Sequence, residues 1–268
     1  MYTVSACVND VTVVPVPLDL TPGSQFPLRP DAICAALEAD REIKLVYICS
    51  PGNPTGALVS PSHVKQILDH PTYNGVVVVD EAYVDFSGDE KSLAPWVTRY
   101  PNLVVMQTLS KAFGLAGIRL GAAFTSVPIA RLLNSLKAPY SISSPTSVLA
   151  ATALGEKGLA VMREHIGKIL AQRERLLVEL PKIPGVGRFL GGSDSNFLLV
   201  EILDKSGNAC NVIAGKAYQG LAETKGVVVR FRGNEAGCKG CLRITVGTEV
   251  ENTRLLEKLK ELLGQILA

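Results

Sequence analysis

Lys111 sits in Thr108-Leu109-Ser110-Lys111-Ala112-Phe113-Gly114, just after the apolar run 103–107, and Arg119 follows eight residues later. A second apolar run, 75–79, ends in Asp80. An amine, a carboxylate and an arginine at strand ends are what a phosphorylated, pyridine-type aldehyde requires, and pyridoxal 5'-phosphate is that cofactor. The apolar surroundings of Lys111 favour its neutral amine, the form that condenses with an aldehyde. The plainer reading is a lysine on a surface loop. Thr108 and Ser110 offer hydroxyls to phosphate oxygens, and Arg119 offers a charge-assisted fork of donors. Asp80 can face a pyridine nitrogen and keep it protonated, which makes the ring an electron sink; otherwise it is a cap or half of an ion pair. Glu81 points away from Asp80 in any extended chain.

Two further side chains come from turns near these strand ends. Tyr83, three residues after Asp80, can donate to the cofactor's phenolic oxygen or stand as a rim aromatic. Asn53 lies in Pro51-Gly52-Asn53-Pro54-Thr55-Gly56. Its amide can reach the same oxygen or satisfy its own turn. Far along the chain, Arg243 lies inside the apolar run 242–246 and must find an anion. A substrate carboxylate or phosphate would serve, and so would Glu201 or Glu249. Arg230 and Arg232 can meet the same anion or remain solvated.

Strands and helices must position these groups. Runs 43–49, 75–79, 103–107 and 120–124 read as strands. Their lack of alternation predicts cover on both faces and a mostly parallel sheet. Ser60-Pro61 starts a helix to Leu68, and residues 128–136 form a return helix. Residues 11–17 read as strand-like. Helical spacing over 147–180 breaks at 155–158 and ends at Pro181. Strands at 196–202, 227–230 and 242–246 follow, with helices at 211–219 and 251–267. The fold class is α/β. A three-layer α/β/α large domain over residues 1–150 precedes a smaller α+β domain over 151–268, with the long helix bridging them.

The 268 residues are 47% hydrophobic and 19% charged, so a substantial core is expected and disorder is not. A net charge of +2 argues against a nucleic-acid surface. No apolar run is long enough to span a membrane, and the first ten residues lack a signal-peptide pattern. Six cysteines without a framework fit a reducing, cytoplasmic setting. Cys238-Lys-Gly-Cys241 has ligand-like spacing but no second pair, so a turn is preferred to a zinc site and no metal is expected. The glycines of 114–121 and 185–192 do not form a dinucleotide fingerprint.

Four stretches carry a family resemblance: 50–56, Val79-Asp-Glu-Ala-Tyr-Val-Asp-Phe86, 108–121 and Gly240-Cys-Leu-Arg-Ile-Thr-Val-Gly-Thr248. They resemble the fold-type I pyridoxal-phosphate aminotransferases, and more closely the histidinol-phosphate aminotransferase family, across essentially the whole chain. The resemblance implies transfer of an amino group from histidinol phosphate to 2-oxoglutarate in histidine biosynthesis. It makes Lys111 the cofactor-binding lysine and Asp80 the partner of the pyridine nitrogen. Asn53 and Tyr83 become contacts to the phenolic oxygen. Ser110 and Arg119 become phosphate ligands with Thr108 nearby, and Arg243 and Arg230 hold the substrate's anion. It also implies a homodimer with active sites at the interface. Family members carry an N-terminal arm and a ring-stacking aromatic, which would precede Met1, so the resemblance implies a shortened chain. A decarboxylase or a transaminase for another substrate would use the same lysine and acid, and a shortened chain could be inactive.

Overall fold

The computed structural model describes residues 2–21, 23–88 and 91–268. A short helix α1 (Tyr2–Val8) leads into a stretch without regular structure, so the strand expected over 11–17 does not form. Helix α2 (Pro30–Ala39) follows. Strand β1 (Leu45–Cys49), helix α3 (Pro61–Leu68), strand β2 (Val76–Asp80), strand β3 (Leu103–Thr108) and strand β4 (Gly121–Thr125) complete the first sheet, in the order β1-β2-β3-β4. The first three strands are parallel, and β4 runs antiparallel to β3, with Gly121 opposite Thr108. Pro61 opens α3 as expected, since a missing N–H costs nothing at that position. Ser60, however, makes no side-chain cap and pairs its hydroxyl with Ser62 at 2.8 Å.

One face of this sheet is well covered. Ile33 and Leu37 of α2 and Val64 and Ile67 of α3 pack on Ile48, Val77, Val79, Leu103 and Val105. The opposite face is not covered in the same way, which corrects the expectation drawn from the unalternated runs. On that face Leu45 and Tyr47 are 51% and 47% exposed. Valine-rich β2 is buried because it is central, whereas β1 is an edge strand.

Helices α4 (Val127–Ser135), α5 (Ser144–Leu154) and α6 (Glu156–Glu179) come next, with the expected break falling at Gly155. The second sheet is antiparallel throughout. It contains β5 (Val186–Leu190), β6 (Phe197–Ile202), β7 (Arg230–Phe231) and β8 (Cys241–Thr245), in the order β5-β6-β8-β7. Strand β7 is only two residues long, shorter than its apolar run suggests. Helices α7 (Asn211–Thr224) and α8 (Glu249–Leu267) complete this part. Thr248 and Glu251 form a reciprocal capping box at the start of α8, satisfying two otherwise orphaned donors.

The two faces of the second sheet differ in character. Leu198, Val200, Ile202, Leu242 and Ile244 pack against Leu176 of α6, Ala217 and Leu221 of α7, and Leu255 and Leu259 of α8. Each fully buried aliphatic side chain there contributes about 1.5–3 kcal/mol of transfer free energy. The other face carries Phe197, Leu199 and Arg243 and turns toward the first sheet. Loops lace the two sheets together on that side. Gly192 N–H donates to the Thr55 carbonyl at 3.0 Å, and Asp194 N–H donates to the Gly56 carbonyl at 2.9 Å. The Asp194 carboxylate in turn accepts from Leu58 N–H at 3.0 Å. Gly191 has φ +73°, and a Cβ there would collide with the Thr55 carbonyl oxygen, so only glycine fits this approach.

Candidate active site

Parallel strands of an α/β sheet present their carboxyl ends to a common crevice, where such folds bind ligands. Three turns meet at that edge here: 50–56 after β1, 81–83 after β2 and 109–111 after β3. The register places Cys49 beside Asp80 and Asp80 beside Met106. Asp80 is therefore the last residue of the central strand, with its carboxylate held from two directions. Its Oδ1 accepts from Ala82 N–H at 3.0 Å, and its Oδ2 accepts from the Tyr2 hydroxyl. Glu81 turns the other way and is 2% exposed. It accepts from Ser92 Oγ at 2.5 Å, Leu93 N–H at 2.6 Å and Gln107 Nε2 at 3.0 Å. That carboxylate ties down the 91–93 segment, and Asp80 alone is left for chemistry.

Thr108 donates its hydroxyl to Ser110 Oγ at 3.0 Å and accepts from Ser110 N–H at 3.1 Å. The pair forms a small polar knuckle directly before Lys111. Arg119 has left-handed backbone, φ 54° and ψ 48°, and donates to the Ala116 carbonyl at 2.9 Å. Its side chain is exposed and available to an anion.

Lys111 is exposed, which corrects the expectation that burial holds its amine neutral. The apolar neighbours explain the discrepancy. Ala112 is buried and Phe113 half-buried, but the chain turns at Ser110 and directs the lysine out of that cluster. Its Nζ lies 5.1 Å from the Tyr83 ring centroid, so the crevice wall still engages it. Tyr83 is 9% exposed and meets Phe197 edge-on at 5.1 Å.

Phe197 in turn carries Arg243, whose guanidinium carbon lies 5.0 Å from its ring centroid. Arg243 also donates to Asn53 Oδ1 at 2.8 Å, leaving the Asn53 amide nitrogen as the group that can donate. The chain Lys111–Tyr83–Phe197–Arg243–Asn53 thus crosses from the first sheet to the second and back. Neither carboxylate considered from the sequence pairs with Arg243. Glu201 is taken by Arg188, with Nε–Oε2 at 2.9 Å and NH2–Oε1 at 2.8 Å, and the contact at Glu249 is its carbonyl, which accepts from Arg175.

The region around Arg243 is short of negative charge. Arg230 stands directly opposite it in the β7–β8 pairing, a destabilising placement for like charges. Arg232 has one carboxylate, Glu235, at 3.3 Å. The Nε atoms of both Arg232 and Arg243 are buried without a hydrogen-bond partner. Burial, then the nearby Arg232, pushes the Arg243 guanidinium below its ordinary value. Such a site is built to be completed by an anion.

Phe197 and Tyr2 join the site without a mark in the sequence. Phe197 is one apolar residue in an apolar strand, so no local signal marks it. Tyr2 reaches Asp80 only through tertiary packing. No cluster of three or more His, Cys, Asp or Glu side chains suited to a metal occurs among the described residues. Cys238 and Cys241 are buried thiols.

Residues 1–259 match the family described as Aminotransferase class I and II. The chain belongs to that family. It is 52% identical over 267 residues to the histidinol-phosphate aminotransferase of Schizosaccharomyces pombe, covering 99% of this chain and 68% of that protein. It is 50% identical over 267 residues to the enzyme of the same name from Saccharomyces cerevisiae, covering 99% and 67%. The chain therefore spans about two thirds of the length of these relatives, and within the family it falls among the histidinol-phosphate aminotransferases. The crystal structure of histidinol-phosphate aminotransferase from Sinorhizobium meliloti, in complex with pyridoxal-5'-phosphate, superposes with a TM-score of 0.85 at 22% identity. That likeness covers 99% of this chain and 68% of the other, and it establishes the shared fold.

Proposed function

We propose that this chain is a pyridoxal-phosphate-dependent transaminase that moves an amino group from L-histidinol phosphate to 2-oxoglutarate, giving imidazole acetol phosphate and L-glutamate, in histidine biosynthesis. The observation that carries the substrate reading is the uncompensated pair Arg230 and Arg243, placed across from each other, with Arg243 tied to Asn53. Both substrates have an anionic end that would complete that site. The donor set at the crevice fits the cofactor. It comprises an amine at Lys111, a carboxylate at Asp80, hydroxyls at Thr108, Ser110 and Tyr83, an amide at Asn53 and a guanidinium at Arg119. The S. meliloti relative, solved with this cofactor, supports the same reading.

In this reading Lys111 would hold the cofactor through its amine and, once the substrate's amine has displaced it, the freed amine would carry a proton from the substrate's Cα as general base and acid. Its exposure gives it the reach for that transfer. When bound, pyridoxal phosphate supplies an electron sink for the charge left at Cα. Asp80 keeps a proton on the pyridine nitrogen, and Asn53 and Tyr83 donate to the phenolic oxygen. Ser110, Thr108 and Arg119 bind the cofactor's phosphate. Arg243 and Arg230 hold the substrate, and the keto product of the first substrate leaves before the second substrate enters.

The same reading makes the chain one subunit of a cytoplasmic homodimer. Support for the dimer comes from apolar side chains left open on α4 and α5 and between them, among them Leu132, Leu136, Tyr140 and Val148. No helix among the described residues is long and apolar enough to cross a membrane. The same reading divides the chain into two domains near residue 150, a position that lies within α5.

The test is the visible spectrum of the purified protein with pyridoxal phosphate, before and after L-histidinol phosphate. A lysine-bound cofactor band that disappears on adding the donor is expected, and 2-oxoglutarate should restore it. An identical spectrum from Lys111→Ala would overturn the assignment. Response to other amino donors but not to histidinol phosphate would overturn the substrate.

A further inference from the structure

Among the described residues Asp80 has no cation in salt-bridge contact with it, and yet it is held from both sides. Ala82 N–H donates to Oδ1 at 3.0 Å, and the Tyr2 hydroxyl donates to Oδ2. One backbone bond fixes one oxygen but leaves the carboxylate free to rotate about its terminal torsion, which is broad for aspartate. A second donor on the other oxygen fixes the plane. A carboxylate accepts about four hydrogen bonds, so lone pairs remain for a ring N–H arriving from the crevice.

Tyr2 is itself anchored. Its ring packs on Tyr47 of β1 at a centroid distance of 4.6 Å and an interplanar angle of 34°. Tyr47 is two residues from Cys49, which lies beside Asp80 in the sheet register. Burial, then the hydrogen bond to Asp80, pushes the Tyr2 phenol well above its ordinary value, so it stays a neutral donor.

We infer that Tyr2 is a positioning residue for Asp80, holding the carboxylate in the plane and orientation that a protonated pyridine nitrogen requires. This rests on the reading of Asp80 as the partner of that nitrogen. A residue with this role acts on one atom of the cofactor, whereas a merely structural tyrosine acts on the whole crevice. Binding of two ligands separates the cases: pyridoxal phosphate, and its 1-deaza analogue, in which C–H replaces the ring nitrogen.

The experiment measures equilibrium dissociation constants of both ligands by absorbance titration for the wild type and for Tyr2→Phe, Tyr2→His and Asp80→Asn. Tyr2→Phe keeps the ring on Tyr47 and removes only the donor. It should weaken pyridoxal phosphate about tenfold and leave the deaza analogue unchanged. Tyr2→His restores a donor and should recover part of the loss. Equal weakening of both ligands by Tyr2→Phe, or no change in either, overturns the inference while leaving Asp80 in place. If Asp80→Asn also fails to distinguish the two ligands, the reading of Asp80 falls, and the inference with it.

Discussion

In the second sheet every residue of β6 is buried, and its core face is closed by three helices. In the first, only Ile48 of β1 is fully buried, and Leu45 and Tyr47 lie about half open. The second sheet thus finishes its own core and uses its remaining face to carry Arg230 and Arg243. The first spends its carboxyl edge on Asp80, Asn53 and Lys111 and leaves apolar surface for something else to cover. Ligand groups therefore come from both sheets, whereas the more fully closed core belongs to the second, and substitutions should separate the two roles.

The largest effect is expected at the crevice. Lys111→Ala should lower kcat about a thousandfold or more, with loss of the lysine-bound visible band. The side chain is exposed, so thermal unfolding of the apo protein should hardly move. A large drop in melting temperature would show that the crevice and the core are not separable.

Leu242→Ala, at a fully buried position in β8, should cost about 2–5 kcal/mol in denaturant unfolding. The matched change Leu45→Ala, on the open side of β1, should stay within about 0.5 kcal/mol. Equal costs would refute the contrast between the sheets. Next comes Arg243→Gln, which removes the charge and the fork of donors. It should lower kcat/KM for both substrates about ten- to a hundredfold, by weakening a charged hydrogen bond. A selective loss for one substrate would show that the two anions bind at different places.

The smallest effects lie at the α8 cap. Thr248→Ala should cost about 1 kcal/mol. Hydrogen bonds from the Thr248 backbone and hydroxyl hold the Glu251 carboxyl below its ordinary value. A depressed carboxylate contributes its stability above the unfolded-state value, and that contribution is lost as pH falls through the folded-state value. The wild type should therefore lose more stability than Glu251→Gln on going from neutral to acid pH, measured by chemical unfolding at each pH.

Much of this was legible in the residues. The valine run ending in Asp80, the Ser60-Pro61 helix start and the break near Gly155 are local signals, and each was found where its sequence placed it. Lys111, Asp80, Asn53, Tyr83 and Arg243 could be picked out because each is a polar group in an apolar or rigid setting. What could not be read was set by tertiary packing. The exposure of Lys111 depends on how the chain turns at Ser110. The open face of β1 depends on its place at the edge of the sheet. Helix α2 and strand β5 go unassigned from the sequence, although Pro30 opens α2 and Gly185 and Gly191 flank β5. Tyr2 and Phe197 enter the site from distant segments, with nothing nearby in the sequence to mark them.

Gly191 lies against Thr55 with no room for a side chain, and Asp194 reaches back to Gly56 and Leu58. These contacts pin the turn that carries Asn53 to the loop that follows β5. Arg243 of the second sheet donates to Asn53, so the two side chains share one mount although they belong to different sheets.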